Sequence, residues 1–431
     1  MSIEDRVRAA TRARTDLVRD IRPFELPAEP PVHARRNPPA RGWLSWGAPL
    51  AAAALVTALA LTLALVRQAE GPRPAPATAA SGSSAAASIP RYYVALAYVG
   101  SSSEPMKAVV GDDRTGRTVA VLKPTASQNF YGVTGAADDR TFVVMNYTGA
   151  TQQTTWYRLR IAPGTAHPAQ LTELPVKPLV AHVSGLALSP DGRQLAVMWR
   201  TATTQTNAVT YLAIYSMASG TVLHTWITKG DNVNAIGGGA NGEALSWVDG
   251  DQSINFRWTV FTKGAHPSYT STVRRIDVTA AGSDLLADSR IALQLPSTAA
   301  LTKTKFSAPC AALVTTSDGN LVCGSSSFTD VSFEEVCSTV PPSFATYSGT
   351  TGKRLKVLYS YHGQCLEAQA MPVWTDAAGS HVIAFLLLSE KGVKTSLTDN
   401  FGLVADGHFT ALPKLVTGIT GADLDQGGLA F

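Results

Sequence analysis

Adjacent acidic residues are the first groups in this chain that could do chemistry. They occur at Asp112–Asp113, Asp138–Asp139 and Glu334–Glu335. A glycosidase needs two carboxyl groups about 5–9.5 Å apart, one of them acting as a general acid. Neighbouring residues on a strand point to opposite faces of the sheet, however, and two of these pairs lie at predicted turns. The favoured interpretation is that the pairs are solvated turn residues.

Motifs for nucleophilic, metal and phosphate chemistry are absent from the sequence. It contains no G-x-S-x-G, H-E-x-x-H, G-x-x-x-x-G-K-[ST] or D-x-D-x-D-G pattern. Gly237–Gly239 lacks the strand–loop–helix unit of a phosphate-binding loop. The histidines show no metal-ligand spacing. They are His33, His167, His182, His224, His266, His362, His381 and His408. They could form a metal site only if the chain folded into a propeller and several of them met at its axis. The sequence therefore predicts no catalytic residue, no cofactor and no metal site.

Tryptophans at or near strand ends could stack on a sugar or a peptide. They are Trp199, Trp226, Trp247, Trp258 and Trp374. Packing between neighbouring sheets is the favoured interpretation for these side chains.

Four cysteines, Cys310, Cys323, Cys337 and Cys365, lie within 56 residues of one another. An even number in an oxidising compartment predicts two disulfides, and four cysteines allow three pairings. Cys310 and Cys323 flank a predicted turn, which favours a cross-strand bond between them. That pairing would leave Cys337 to bond Cys365.

A segment of 25 uncharged residues lies between Arg41 and Arg67. At about 1.5 Å per residue, a helix of that length crosses a hydrocarbon core of about 30 Å. Trp43 and Trp46 fall where indoles favour the headgroup level. We predict a single transmembrane helix over 43–66. The alternative, a cleaved signal peptide, requires shorter polar and apolar regions.

The flanking segments predict the orientation of this span. Residues 1–42 carry nine arginines against six acidic residues, and the positive-inside rule places such a tail in the cytoplasm. Helical spacing of apolar residues from Ile3 to Ile21 predicts a short amphipathic helix, which would lie on anionic lipid or dock a cytoplasmic regulator. Residues 67–90, rich in Pro, Ala and Ser, read as a spacer. Residues 91–431 are therefore expected to form an extracytoplasmic domain at the cell membrane.

The net charge of +4 does not indicate a nucleic-acid partner. Residues 91–431 contain 25 basic and 25 acidic residues, so the whole excess lies in the tail and the spacer. Charged residues make up 16% of the chain, against about 25% in an average soluble protein. This low share excludes a disordered or coiled-coil protein, because both need many charges.

Two patterns recur in the large domain, and the first is a turn flanked by two strands. The first pattern occurs at 136–144, 188–197, 239–248, 316–323, 376–385 and 424–431. The second pattern, a turn followed by an outer strand, occurs at 114–122, 168–175, 218–226, 287–296, 351–358 and 406–413. Six repeats predict an all-β fold, a six-bladed β-propeller. Strands from both chain ends would close the ring and remove free sheet edges. A period of 76 residues, with an extra stretch near 249–275, leaves seven blades as the alternative.

The turn Ser189-Pro190-Asp191-Gly192, in LSPDGRQLAV, resembles the repeat signature of TolB-type and WD-repeat-like propellers. In that signature the turn joins the innermost strand to the next strand. The whole arrangement of tail, span and propeller is similar to that of uncharacterised propeller membrane proteins of high-GC bacteria. The resemblance implies a fold and no activity.

The function expected from these features is binding. The propeller would recognise a ligand, a cell-envelope component or a partner protein, and the tail would report the event inward. The alternative is an enzyme, lactonase-like or hydrolase-like, with its site in the central channel. A structural envelope protein is a third possibility. An enzyme requires converging His, Asp or Glu side chains at one mouth of the channel, whereas a binding module requires a broad polar or aromatic surface.

Overall fold

A computed structural model describes most of the chain beyond the predicted spacer. The described residues are 89–98, 105–125, 128–148, 151, 153–165, 167–201, 209–229, 245–262, 268–295, 298–299, 306–328, 341–363, 365, 367–389, 398–413 and 428–431. The predicted tail (1–42), span (43–66) and all but the last two residues of the spacer (67–90) lie outside them. Within the described residues, no helix has the length and apolar character needed to cross a membrane.

Four antiparallel sheets follow one another along the chain. The first joins β1 (Tyr92–Ala97), β2 (Lys107–Asp112) and β3 (Arg117–Leu122) to the last strand, β26 (Leu429–Ala430). The second contains β4 (Asn129–Gly135), β5 (Thr141–Thr148), β6 (Gln153–Ile161) and β7 (Ala169–Glu173), with β8 (Leu179–Val180) beside β6. The third contains β9 (His182–Leu188), β10 (Gln194–Thr201), β11 (Val209–Ser216) and β12 (Val222–Lys229). The fourth contains β13 (Ser246–Val248), β14 (Ser253–Thr262), β15 (Ser268–Asp277) and β16 (Arg290–Gln294), with β17 (Thr298–Ala299) beside β15.

The remaining strands form one eight-stranded sheet. Its first half contains β18 (Phe306–Thr315), β19 (Leu321–Phe328), β20 (Ser343–Tyr347) and β21 (Arg354–Ser360). Its second half contains β22 (Glu367–Thr375), β23 (Val382–Ser389), β24 (Thr398–Ala405) and β25 (His408–Ala411). The halves are joined because Ser326 and Ser327 of β19 pair with Gln369 and Ala368 of β22. Each half has the same four-strand order as the separate sheets.

The inner and outer strands differ in burial as their sequences predict. β1 and β2 are buried at every position, which suits a continuous apolar run packed on both faces. β3 is partly exposed along its length. Every segment predicted to hold an outer strand contains one, namely β3, β7, β12, β16, β21 and β25, and each of these ends its sheet. The second sequence pattern is therefore confirmed at all its positions.

The fourth sheet corrects one prediction from the first pattern. The inner hairpin turn was expected near residue 242, but the structure places it after β13, over residues 249–252. Asp249, Gly250 and Asp251 all have positive φ there (54°, 60° and 72°). The stretch 249–275 contains this turn and the strands β14 and β15, both of which belong to the fourth sheet. The run of glycines before this segment gave the stronger turn signal in the sequence.

The sheets follow one another in a propeller-like arrangement. The first strand of each four-stranded group contacts the first strand of the next: β26 with β4, β4 with β9, β9 with β13, β13 with β18, β18 with β22, and β22 with β26. Within the described residues the apolar core is divided into six clusters, each lying between two neighbouring groups. The predicted closure is confirmed, because Leu429 and Ala430 pair with Ala95 and Val94 of β1.

Candidate functional site

A tyrosine pair lies at the end of the second sheet where β4 begins and β5 ends. The ring centroids of Tyr131 and Tyr147 are 5.6 Å apart. The register of β4 with β5 shifts between Phe130 and Gly132, so Tyr131 is the extra residue of a β-bulge. A bulge re-aims a side chain, and here it brings a half-buried tyrosine next to its neighbour on β5.

A second aromatic pair lies on the third sheet. Trp199 and Tyr211 are directly opposite each other on β10 and β11, and their rings stack 5.1 Å apart with an angle of 5° between the planes. Both side chains are half-buried. Trp199 and Tyr131 pack against the same core cluster, which fills the space between the second and third sheets. The two pairs therefore belong to one interface between sheets.

Both pairs lie at the same end of the ring, because β5 and β10 are the second strands of their sheets and each pair lies near the ends of those strands. Burial, together with the negative charge that Tyr147 would carry, raises the pKa of Tyr131 above its ordinary value. The Tyr131 phenol therefore stays protonated at physiological pH, so its O–H is available to donate a hydrogen bond. The arrangement can stack on flat apolar faces and donate hydrogen bonds. We call these four side chains the aromatic site.

The other large indoles have packing roles. Trp226, Trp247 and Trp258 are buried in the cluster between the third and fourth sheets, as predicted, and the Trp247 indole N–H donates to the carbonyl of Ala187 at 3.0 Å. Trp374 packs at the edge of another cluster. Of the tryptophans singled out in the sequence, Trp199 is the half-buried one whose ring stacks on another aromatic ring.

The signature turn Ser189-Pro190-Asp191-Gly192 lies between β9 and β10, at the opposite end of the ring. The buried Ser189 hydroxyl donates to Asp191 Oδ1 at 2.6 Å and accepts the amide N–H of Gln194 at 2.9 Å. Gly192 has a φ of +70°, which a residue with a Cβ adopts at a cost. These bonds hold the turn closed, so the signature has a structural role.

Asp376, Ser380 and His381, in the β22–β23 turn, are the residue types of a hydrolytic triad. His381 Nδ1 lies 2.8 Å from Asp376 Oδ2, and the Ser380 hydroxyl donates to the same oxygen at 2.6 Å. The hydroxyl also lies 3.1 Å from Nδ1. In a triad the serine faces the other ring nitrogen, so this geometry closes a turn and activates no nucleophile. Burial opposes ionisation, but bonds from Ser380 and His381 hold the pKa of Asp376 below its ordinary value.

The paired acids occupy turns, as the sequence predicts for two of them. Asp138 accepts the amide N–H groups of Arg140 and Thr141 at 3.0 and 2.8 Å. Asp112 and Asp113 lie at the start of the β2–β3 turn and are both buried rather than solvated, which corrects that part of the prediction. Glu334–Glu335 lies outside the described residues. Among the residues that the structure describes, no group of three or more His, Cys, Asp or Glu side chains could hold a metal ion.

The prediction of a disulfide is confirmed. Cys310 of β18 and Cys323 of β19 are bonded, with their Cα atoms 4.8 Å apart. Cys365 is also disulfide-bonded and fully buried. Cys337 lies outside the described residues, so its pairing with Cys365 stays a prediction.

Comparisons with known proteins were made by family, by sequence and by structure. No family model and no curated protein matches the chain. Similar solved structures include a hydrazine synthase of Kuenenia stuttgartiensis (12% identity, 66% of this chain and 66% of that chain, TM-score 0.36). A prolyl endopeptidase structure matches at 8% identity over 75% of this chain and 48% of that one, with a TM-score of 0.40.

An oligogalacturonate lyase in complex with manganese matches at 12% identity over 73% of this chain and 74% of the other, with a TM-score of 0.39. The chain spans about two thirds of the hydrazine synthase chain and about half of the prolyl endopeptidase chain. With identities and TM-scores this low, these similarities assign no activity to this protein.

Tyr131, Tyr147 and Tyr211 are functional candidates that sequence reasoning missed. Their positions near strand ends were visible in the sequence. The bulge in β4 and the register of β10 with β11 were not, and these two features are what bring the rings together.

Proposed function

We propose that residues 91–431 form a six-bladed propeller that works as a binding module, with its ligand held at the aromatic site. The observation that carries this proposal is the presence of two half-buried aromatic pairs on neighbouring sheets, at the end of the ring opposite the tight turns. Six core clusters and the closed ring of first-strand contacts support the number of blades.

The ligand class follows from what these rings can contact. Aromatic faces stack on the apolar faces of sugar rings and on flat side chains, and phenol groups donate hydrogen bonds at their edges. A cell-envelope glycan that carries peptide offers both kinds of surface. We therefore place a disaccharide-peptide fragment first among the ligands to test.

The same proposal places the propeller outside the cell membrane. The uncharged segment between Arg41 and Arg67 would form the single span, with the arginine-rich tail in the cytoplasm and the spacer holding the ring off the lipid. The tail would pass a binding event to a cytoplasmic regulator. Crosslinking the intact protein in its own cells, then identifying what the tail and the propeller each contact, tests this arrangement.

Binding is tested with the full-length protein in detergent micelles. Soluble peptidoglycan disaccharide-peptides are titrated while tryptophan fluorescence is recorded. We expect saturable binding that Trp199→Ala weakens about tenfold, since an aromatic contact of this kind is worth about 1 kcal/mol beyond its buried area. Phe409→Ala, a half-buried aromatic on an outer strand, is the matched control and should leave the affinity unchanged.

Three outcomes would contradict the binding proposal. The first is an absence of saturable binding, and the second is an equal loss of affinity in both variants. The third is cleavage of the fragment by the protein, seen by mass spectrometry, which would favour the enzyme alternative.

A further inference from the structure

The first described residues of the ring are held by the β2–β3 turn. The Arg91 guanidinium donates from Nε and Nη2 to Asp112 Oδ2, both at 3.0 Å. The Arg91 carbonyl accepts the amide N–H of Asp113 at 2.7 Å, and its own amide N–H donates to Asp139 Oδ2 at 2.7 Å. Arg91 is thus tied to two turns at the point where the predicted spacer meets the first sheet.

Asp112 is a fully satisfied carboxylate. Its Oδ2 binds Arg91, and its Oδ1 accepts the amide N–H groups of Arg114 at 3.0 Å and Thr115 at 3.2 Å. The Arg91 guanidinium is therefore already paired with the Asp112 carboxylate.

The carboxyl group of Asp113 differs from that of Asp112 in its hydrogen bonding. Only 4% of the residue is exposed, and within the described part of the chain its Oδ1 has no hydrogen-bond partner. Burial of a carboxyl group with an oxygen that accepts no hydrogen bond disfavours its charged form and so favours the protonated one. The charged residues at Arg91, in the β2–β3 turn and in the β4–β5 turn that binds Arg91 are Arg91, Asp112, Arg114, Arg117, Asp138, Asp139 and Arg140.

We propose that Asp113 is a proton-operated latch: with a proton bound, the β2–β3 turn holds Arg91 firmly, and without it the segment at Arg91 opens more often. Ionisation would place an unpaired negative charge in a buried position beside the Asp112 carboxylate. Opening of the turn relieves this by exposing Asp113 to water. The latch is independent of the ligand proposed above, because its residues lie on the first sheet and the adjoining β4–β5 turn.

The size of the effect follows from two pKa values. Burial, and then the charge of Asp112, raise the pKa of Asp113 from an ordinary 3.8 to about 6. The closed turn therefore binds the proton more tightly than the open one, so closing becomes more favourable as the pH falls through 6 and the gain levels off below 3.8. Between about pH 7.5 and about pH 5, the closing equilibrium should shift about tenfold toward the closed state.

Hydrogen exchange of the full-length protein in detergent micelles tests the latch. Peptides covering 89–98 and 107–117 are followed at about pH 5 and about pH 7.5, with the rates corrected for chemical exchange. We expect the protection of these amides to be about tenfold greater at the lower pH, while peptides of the β10–β11 hairpin change little. Asp113→Asn should abolish the pH response.

Asp406→Asn is the matched control. Asp406 is an exposed turn carboxyl with a φ of 50°, a conformation that asparagine also tolerates. This variant should keep the tenfold response at Arg91. Equal protection at both pH values in the unaltered protein would overturn the latch, whatever the variants do. A response that persists in Asp113→Asn, or that spreads equally over all sheets, would overturn it as well.

Discussion

Replacing Arg275 should loosen one interface between sheets more than any surface change. Arg275 lies on β15 with only 5% of its side chain exposed. Its Nη2 donates to the carbonyl of Gly319 at 2.6 Å, in the β18–β19 turn of the next sheet. Its Nε donates to Asn255 Oδ1 at 2.9 Å, and Nη1 reaches Asp249 Oδ2 at 3.3 Å. One side chain thus joins two turns and a buried amide.

The cost of Arg275→Met follows from what it leaves unpaired. The Gly319 carbonyl and the fully buried Asn255 side chain each lose a donor, and each buried unsatisfied acceptor costs about 1–3 kcal/mol. Part of this is offset, because the guanidinium no longer has to be desolvated. Burial lowers the pKa of Arg275, which reflects that desolvation cost. We expect a net loss of about 3 kcal/mol in the free energy of unfolding.

Denaturant unfolding, followed by near-ultraviolet circular dichroism, measures this loss. Arg290→Met is the control, since Arg290 is exposed on β16 and pairs with Arg275 across the strands. It should change stability by less than about 0.5 kcal/mol. In a double-mutant cycle, adding Asn255→Val to Arg275→Met should cost about 1–2 kcal/mol less than the sum of the single changes. A loss below about 1 kcal/mol for Arg275→Met, or strict additivity in the cycle, would refute the reasoning.

Two further changes test the same regions. Gly319→Ala would place a Cβ 2.1 Å from Arg275 Nη2 at a φ of +81°, whereas Gly250→Ala, at +60°, meets nothing within 4 Å. Thermal unfolding should therefore show a loss of about 1 kcal/mol for Gly250→Ala and at least twice that for Gly319→Ala; equal losses would contradict the contact. Removing the Cys310–Cys323 bond, whose cysteines are 13 residues apart, by changing both to Ala should cost about 2–4 kcal/mol. An unchanged unfolding free energy would show that the bond adds nothing to stability.

Much of the ring could be predicted from local signals, because turn residues and strand periodicity act within a few residues. The outer strand β12 follows a Ser-Gly turn, and a glycine with positive φ lies there at Gly220. The turn at 249–252 was missed because a run of glycines just before it gave a stronger signal. The strand before this turn is also short, because β13, which ends just before Asp249, has only three residues.

The aromatic site and the latch depend on information that no short segment contains. Tyr131 faces Tyr147 because β4 gains one residue relative to β5, and such a register shift leaves no mark on residue types. Asp113 is buried, and its amide N–H donates to the carbonyl of Arg91, 22 residues earlier in the chain. The sequence pattern predicts that Asp112 and Asp113 are solvated, because it carries no sign of contacts with residues far away in the chain.

The turn signature lies at the end of the ring where inner turns of neighbouring sheets bond to one another. The amide N–H of Ala137 donates to the carbonyl of Pro190 at 3.1 Å, and that of Asp249 donates to the carbonyl of Ser317 at 2.9 Å. In both cases an inner turn bonds to the inner turn of the next sheet. A residue used in this way is constrained by stability, so changes in the Ser189–Gly192 signature should alter unfolding before they alter binding. The aromatic pairs lie at the other end and are half-buried, and no bond between turns involves them within the described residues, so we expect changes there to affect the proposed binding before they affect the ring.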